Sequence, residues 1–168
     1  AADPALILNT TTAIDTDFWL GITEDAAGDD DDLFQIGDGT TPGTNVALTI
    51  DTNQNVGIGT TVPGTKLGVI GNFSLGNGTN SISQVNSGAL GVSNTITGQI
   101  SFAVGQGNTV SSNYGIVLGY QNTISGGYVS TAIGRWLTSS GDNSSAIGSG
   151  VDDNNHMVNS VANSFAVG

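Results

Sequence analysis

Residues 99–112 read Gln99-Ile100-Ser101-Phe102-Ala103-Val104-Gly105-Gln106-Gly107-Asn108-Thr109-Val110-Ser111-Ser112, and residues 113–125 continue Asn113-Tyr114-Gly115-Ile116-Val117-Leu118-Gly119-Tyr120-Gln121-Asn122-Thr123-Ile124-Ser125. The second line restates the first fourteen positions on: Ala103-Val104-Gly105 returns as Val117-Leu118-Gly119, and Asn108-Thr109-Val110-Ser111 as Asn122-Thr123-Ile124-Ser125. Working outward, the same triplet occurs at Ser74-Leu75-Gly76, Ala89-Leu90-Gly91, Ala132-Ile133-Gly134, Ala146-Ile147-Gly148 and Ala166-Val167-Gly168. The steps between its glycines, Gly76, Gly91, Gly105, Gly119, Gly134, Gly148 and Gly168, are 15, 14, 14, 15, 14 and 20 residues. Each unit carries two short alternating segments, so each buries one face. Gly or Asn separates them, residues that accept positive φ at little cost.

Two strands and two turns in 14–15 residues make one coil of a flattened solenoid whose coils pair in parallel at about 4.8 Å. No single coil buries its own apolar face, so stability comes from the stack. The 20-residue interval is expected to bulge out between Val151 and Met157. A two-strand coil is thin, and the aliphatic residue beside each repeat glycine can point in or out. If out, it forms an apolar stripe that needs a partner. Self-association is the simplest remedy, and periodicity alone does not set the number of copies.

The composition agrees with a solenoid. Of 168 residues 26 are Gly, and charged residues are 10% against about 25% in ordinary domains. The only bases are Lys66 and Arg135, against 14 acids, for a net charge of −12. Phosphate would repel such a chain, which argues against nucleic acid as a partner. Without Cys there is no disulfide or thiolate metal site. Glu24 and Lys66 are the only residues of their types, too few for exposed helix faces. No apolar run approaches ~18 residues, so no membrane helix is expected. The 37% apolar share is too high for disorder kept open by charge.

Charge also divides the chain. Eleven acids lie in residues 1–51 and none in 52–141. The expected organisation is an acidic hairpin region (1–51), a junction segment (52–72) and the repeat domain (73–168). In the front region Ala5-Leu6-Ile7-Leu8, Phe18–Ile22, Leu33–Ile36 and Ala47–Ile50 read as strands joined by Gly- and Pro-rich turns. Antiparallel hairpins are the economical arrangement. Trp19 is expected in the core of this region, and the uncharged body is expected to keep Asn, Ser and Thr on its outer face.

The repeats resemble the head repeats of trimeric autotransporter adhesins (YadA-like heads) over about 73–168, with Ala132-Ile133-Gly134 and Ser144-Ser145-Ala146-Ile147-Gly148 the closest matches. That resemblance implies a left-handed parallel β-roll with three chains side by side. The half-repeat Asn-Thr-Ile-Ser departs from the Ala-rich sequence more usual there, and neither a heptad stalk nor a membrane barrel follows the repeats. Residues 5–71, with Asn55-Val56-Gly57-Ile58-Gly59-Thr60-Thr61 at their centre, resemble a junction segment of phage tail-fibre-like and bacterial surface-fibre proteins. Here Gln54 stands where that segment usually has Gly, and Gly68 interrupts its ending. The second resemblance implies a trimeric, fibrous, extracellular or virion setting.

The expectation is therefore an all-β, non-enzymatic homotrimer: an N-terminal antiparallel hairpin region followed by a parallel β-roll, serving as a structural subunit of an extracellular fibre or cell-surface filament with an attachment role. Alternatives are a phage tail-fibre fragment recognising a host surface and a carbohydrate-binding module. The sequence stops on a repeat glycine, and terminal repeats need capping. So the roll is expected either to continue or to receive the front end of another subunit, with Ala5–Leu8 as the junction strand. Trimers would then stack head to tail.

Chemical sites are sparse. Gly59-Thr60-Thr61-Val62-Pro63-Gly64-Thr65-Lys66 has the glycines of a phosphate loop, but a loop of that kind needs Gly-Lys-Ser/Thr and a following helix. It reads as a turn. Asp29-Asp30-Asp31-Asp32 offers carboxylates for Ca²⁺, but consecutive carboxylates splay apart and the spaced loop of a calcium hand is missing; a solvated tip is favoured. His156, near Asp152 and Asp153, reads as an exposed loop residue rather than part of a hydrolase site. Arg135-Trp136 interrupts a repeat where its siblings are small and polar. It is expected at an inter-chain contact, with sugar stacking as the alternative. No cofactor is expected.

Overall fold

The computed structural model describes residues 5–8, 17–23, 32–76 and 78–168. They contain strands and turns and no helix. The chain divides into two compact units, Ala1–Ile70 and Gly71–Gly168.

The second unit is a β-solenoid of about seven turns built on two parallel sheets. One sheet carries the triplets on β7 (Phe73–Leu75), β9 (Gly88–Val92), β11 (Phe102–Gln106), β13 (Ile116–Tyr120), β15 (Thr131–Arg135), β17 (Ser145–Ser149) and β19 (Phe165–Val167). The other carries the half-repeats on β8 (Ser81–Ile82), β10 (Thr95–Ile96), β12 (Thr109–Val110), β14 (Thr123–Ile124), β16 (Leu137–Ser139) and β18 (Met157–Asn159). Equivalent repeat positions pair in register: Ala103 lies between Ala89 and Val117, and Gly105 between Gly91 and Gly119. The extra residues of the long interval fall between β17 and β18, as the spacing predicts.

The interior is narrow. Ala89, Ala103, Val117, Ala132 and Ala146 from one sheet meet Ile96, Val110 and Ile124 from the other, all fully buried. The repeat glycines close the coil. Gly119 has φ +131, and a Cβ there would lie 1.8 Å from the carbonyl oxygen of Gly134 in the next coil. Only Gly permits both that conformation and that approach.

The outer-face expectation for the polar residues is half corrected. Asn94, Asn108 and Asn122 are fully buried, as are several serines. The asparagines do not serve the turns through positive φ; the residue before each does so in Ser93 and Gln121. They are buried because repetition supplies them with partners. Asn108 Nδ2 donates to Asn94 Oδ1 (2.9 Å) and to the Gly119 carbonyl (2.9 Å). Its Oδ1 accepts from the Asn122 backbone N–H (3.1 Å) and from Asn122 Nδ2 (3.1 Å). A buried amide costs little when every donor and acceptor is used. The ladder runs from Asn80 to Asn122 and ends where the Leu137 N–H donates to Asn122 Oδ1. In that coil the positions are exchanged: buried Leu137 takes the Asn place, and buried Ser139 pairs in register with Ile124. One coil on, Met157 and Asn159 keep the exchange.

The first unit holds one six-stranded sheet in chain order: β1 (Ala5–Leu8), β2 (Phe18–Thr23), β3 (Leu33–Asp38), β4 (Val46–Ile50), β5 (Val56–Ile58) and β6 (Leu67–Val69). Neighbours from β1 to β5 run antiparallel, and β5 and β6 run parallel. The stretch 52–72 thus gives two strands to the same sheet as residues 5–50. One face carries Trp19, Thr23, Gln35, Gly37, Thr49 and Gly57, all buried. Trp19 lies across Gly37, where a Cβ would stand 2.6 Å from the indole. Thr23 Oγ1 donates to Gln35 Oε1 (2.8 Å), and Gln35 Nε2 donates to Thr49 Oγ1 (3.3 Å). The chain's own loops reach this face: Asn45 comes against Gly37, and buried Pro63 lies against Gly57 and Gly68.

Candidate self-assembly surface

Period-two alternation in the triplet strands settles which residues face out. The small member of each triplet points in and the aliphatic before the glycine points out. Leu75, Leu90, Val104, Leu118, Ile133, Ile147 and Val167 share one register across all seven strands. Each is half-buried or exposed, with Leu118 at 36%. Phe102, Ile116 and Phe165 add to the same outer face. The half-repeat sheet shows the opposite chemistry: its outward residues include Ser81, Thr95, Thr109, Thr123 and Thr138. The solenoid is therefore apolar outside on one sheet and polar outside on the other, except in the last half-repeat strand, where Val158 holds the outward place.

The sheet of the first unit repeats this asymmetry. Across it Leu6 pairs with Leu20, Leu20 with Ile36, Ile36 with Leu48 and Leu48 with Ile58. A parallel row joins Ile22, Phe34, Ile50, Val56 and Leu67. None of these side chains is buried. Among the described residues, the loops lie against the face of small and hydrogen-bonding residues, and none covers the aliphatic face. The signal was present in the sequence as the alternation Phe18, Leu20, Ile22 and Leu48, Ile50; which face the loops would cover was not.

Arg135 and Trp136 sit at a solenoid corner beside the equivalent pair Tyr120 and Gln121. The Arg135 guanidinium lies 4.7 Å from the Trp136 ring centroid, and Tyr120 meets that ring edge-on at 6.0 Å. Trp136 Nε1 donates to Gln121 Oε1 (2.8 Å), and Arg135 Nε to Ser149 Oγ (2.9 Å). Tyr120 and Arg135 are exposed and Trp136 is half-buried. The two expected residues are thus joined by Tyr120, which the sequence reading did not single out.

The remaining sequence-derived sites are dispersed. Ala5–Leu8 is exposed and pairs with β2 of its own sheet, of which it is the edge strand among the described residues. Asp29, Asp30 and Asp31 lie outside the described residues; Asp32 is exposed. Strand Leu67–Val69 follows the Gly59–Lys66 loop, where a phosphate loop would need a helix. His156 Nδ1 lies 3.1 Å from Thr138 Oγ1. The Asp152 carboxyl is held below its ordinary range by the Asn154 backbone N–H first, then by the Asn155 side chain and the nearby His156. That carboxylate organises its own turn. Among the described residues no three His, Cys, Asp or Glu side chains gather where a metal ion would be held. Comparison with protein-family models, curated proteins and solved structures finds no match.

Proposed function

We propose that this chain is a structural subunit of an extracellular trimeric fibre or surface filament, with a role in attachment. The observation that carries the reading is the outward row of aliphatic side chains repeated in every coil from Leu75 to Val167. A monomer gains nothing from keeping that position aliphatic seven times while five of its six half-repeats keep Ser or Thr outside. A partner that runs along the solenoid removes the whole row from water, at about 25 cal/mol per Å². A second copy presents a row of the same length and pitch, which makes self-association the economical solution. The number three, the extracellular setting and the attachment role rest on the resemblance to adhesin heads and fibre junctions.

Light scattering on the purified chain tests the reading. The expected mass is a multiple of 16.8 kDa, near three chains, and Leu118→Asp should shift it toward the single chain. A wild-type mass of 16.8 kDa overturns the proposal. Elongation without limit would mark a filament, and a discrete particle an adhesin head or phage fibre. The Arg135–Trp136–Tyr120 cluster is assigned to an inter-chain contact; binding on a glycan array that is lost in Tyr120→Ala would reassign it to sugar stacking.

A further inference from the structure

The apolar face of the first unit calls for its own account, because it belongs to a separate compact unit and a different sheet. Leu6 and Phe18 are more than half exposed, and Leu20, Ile36, Ile50 and Ile58 are exposed by 36–46%. Together these residues bare on the order of several hundred Å² per copy, the range of the largest patch on a typical monomer and of the area one partner gives a small interface. In its registers the one charged residue is Asp38, at the end of the β2–β3 ladder opposite Phe18. A trough of about 430 Å³, lined by Leu6, Leu20, Ile22 and Phe34 among others, opens on the same face.

We infer that this face is a second self-association surface, on which the N-terminal sheets of neighbouring copies pack aliphatic face to aliphatic face. The inference rests on the self-assembly reading above and adds the place where the front thirds meet. A foreign partner would need a feature to be recognised by, and the face offers no charge in its interior and almost no hydrogen-bonding side chain. Another copy needs neither. Its matching aliphatic rows turn toward a shared axis with those of its neighbours, and projecting Leu and Phe side chains fill the trough. Copies already held through their solenoids would present this face at high effective concentration. The buried arrangement also explains why the loops cover the opposite, hydrogen-bonded face: the aliphatic one must stay open for the neighbour.

The chain has no Cys, so single cysteines report cleanly. Ile36→Cys and Leu20→Cys would be placed in the full chain at the centre of the face, and Thr52→Cys in an exposed turn of the same unit. The expected result is that the two face cysteines react with a water-soluble maleimide at least ten-fold more slowly than Thr52→Cys. They should also join two chains through a short bis-maleimide. Circular dichroism like that of the wild type shows that each variant folds; Leu20→Cys carries the test if Ile36→Cys does not. Labelling as fast as Thr52→Cys, in a chain that light scattering shows assembled, overturns this inference and leaves the solenoid reading standing. Protection without cross-linking between copies also overturns it. A wild-type chain of single mass overturns both readings together.

Discussion

Asn108 shows how repetition changes what a residue can do. An isolated buried amide is a liability, but one in a column of its own kind has both its oxygen and its nitrogen satisfied by copies above and below. Asn108→Ala leaves the Gly119 carbonyl and the Asn122 N–H without their side-chain partner in a dry interior. The expected loss is about 3 kcal/mol, from ~1–3 kcal/mol for each unsatisfied group. Chemical denaturation would measure it, and a change below about 1 kcal/mol would mean that water or the backbone takes over. The spacing of Asn94, Asn108 and Asn122 was legible in the sequence, but their burial was not. Hydropathy places Asn outside, and only the stacked neighbour reverses that preference. Ile100 and Val129 were illegible for a similar reason. They adopt φ +53 and +43, which β-branched residues avoid, at a corner where Asn86 and Asn143 hold the equivalent turn.

At the scale of a coil, length was the readable quantity. Steps of 14 and 15 residues between the repeat glycines define the coil, and the single 20-residue step keeps the stack by placing its extra residues in the loop between β17 and β18. Compensation within a coil was hidden. Three coils place Gly, then Ser three or four positions later, at the second corner: Gly98 with Ser101, Gly126 with Ser130, Gly141 with Ser144. One coil reverses the order, with Ser112 and Gly115. The Ser112 hydroxyl is buried without a partner, and a Cβ on Gly115 would lie 2.6 Å from it and 2.5 Å from Val110. The Ser112 side chain thus fills the space that a serine at 115 would occupy. Gly115→Ser alone should destabilise by about 1–3 kcal/mol through overpacking. Adding Ser112→Gly should recover part of that loss, because it frees the space of the Ser112 hydroxyl while Val110 still crowds the site; the coupling should show in a double-mutant cycle. Additive effects in urea denaturation would refute the exchange.

At the scale of the whole molecule, charge and apolar surface act against each other. Eleven of the 14 acids lie in residues 1–51, yet the sheet there bares an aliphatic face whose interior carries none. Copies that each carry −12 repel one another while their apolar surfaces attract. Added salt screens the first and spares the second, with a screening length of about 10 Å at 0.1 M. Assembly should therefore tighten as salt rises, seen as a higher assembled fraction in sedimentation of dilute protein. Dissociation by salt would point to ionic contacts instead. The strands of both units were legible from alternation, but which sheet face stays bare was not, because that depends on where loops such as 39–45 and 59–66 fold back. The coil in which Leu137 and Ser139 exchange places has a consequence for folding. Near-identical coils can anneal one step out of phase, and such a slipped stack would keep most of its strand pairing. The native stack sets Leu137 beside Asn122 and Ser139 against Ile124, and from there on the places of the amide column are held by the apolar Leu137 and Met157. The exchange is thus a boundary: coils before it carry an amide where coils after it carry an apolar side chain, so a copy moved from one side to the other would not fit its new neighbours.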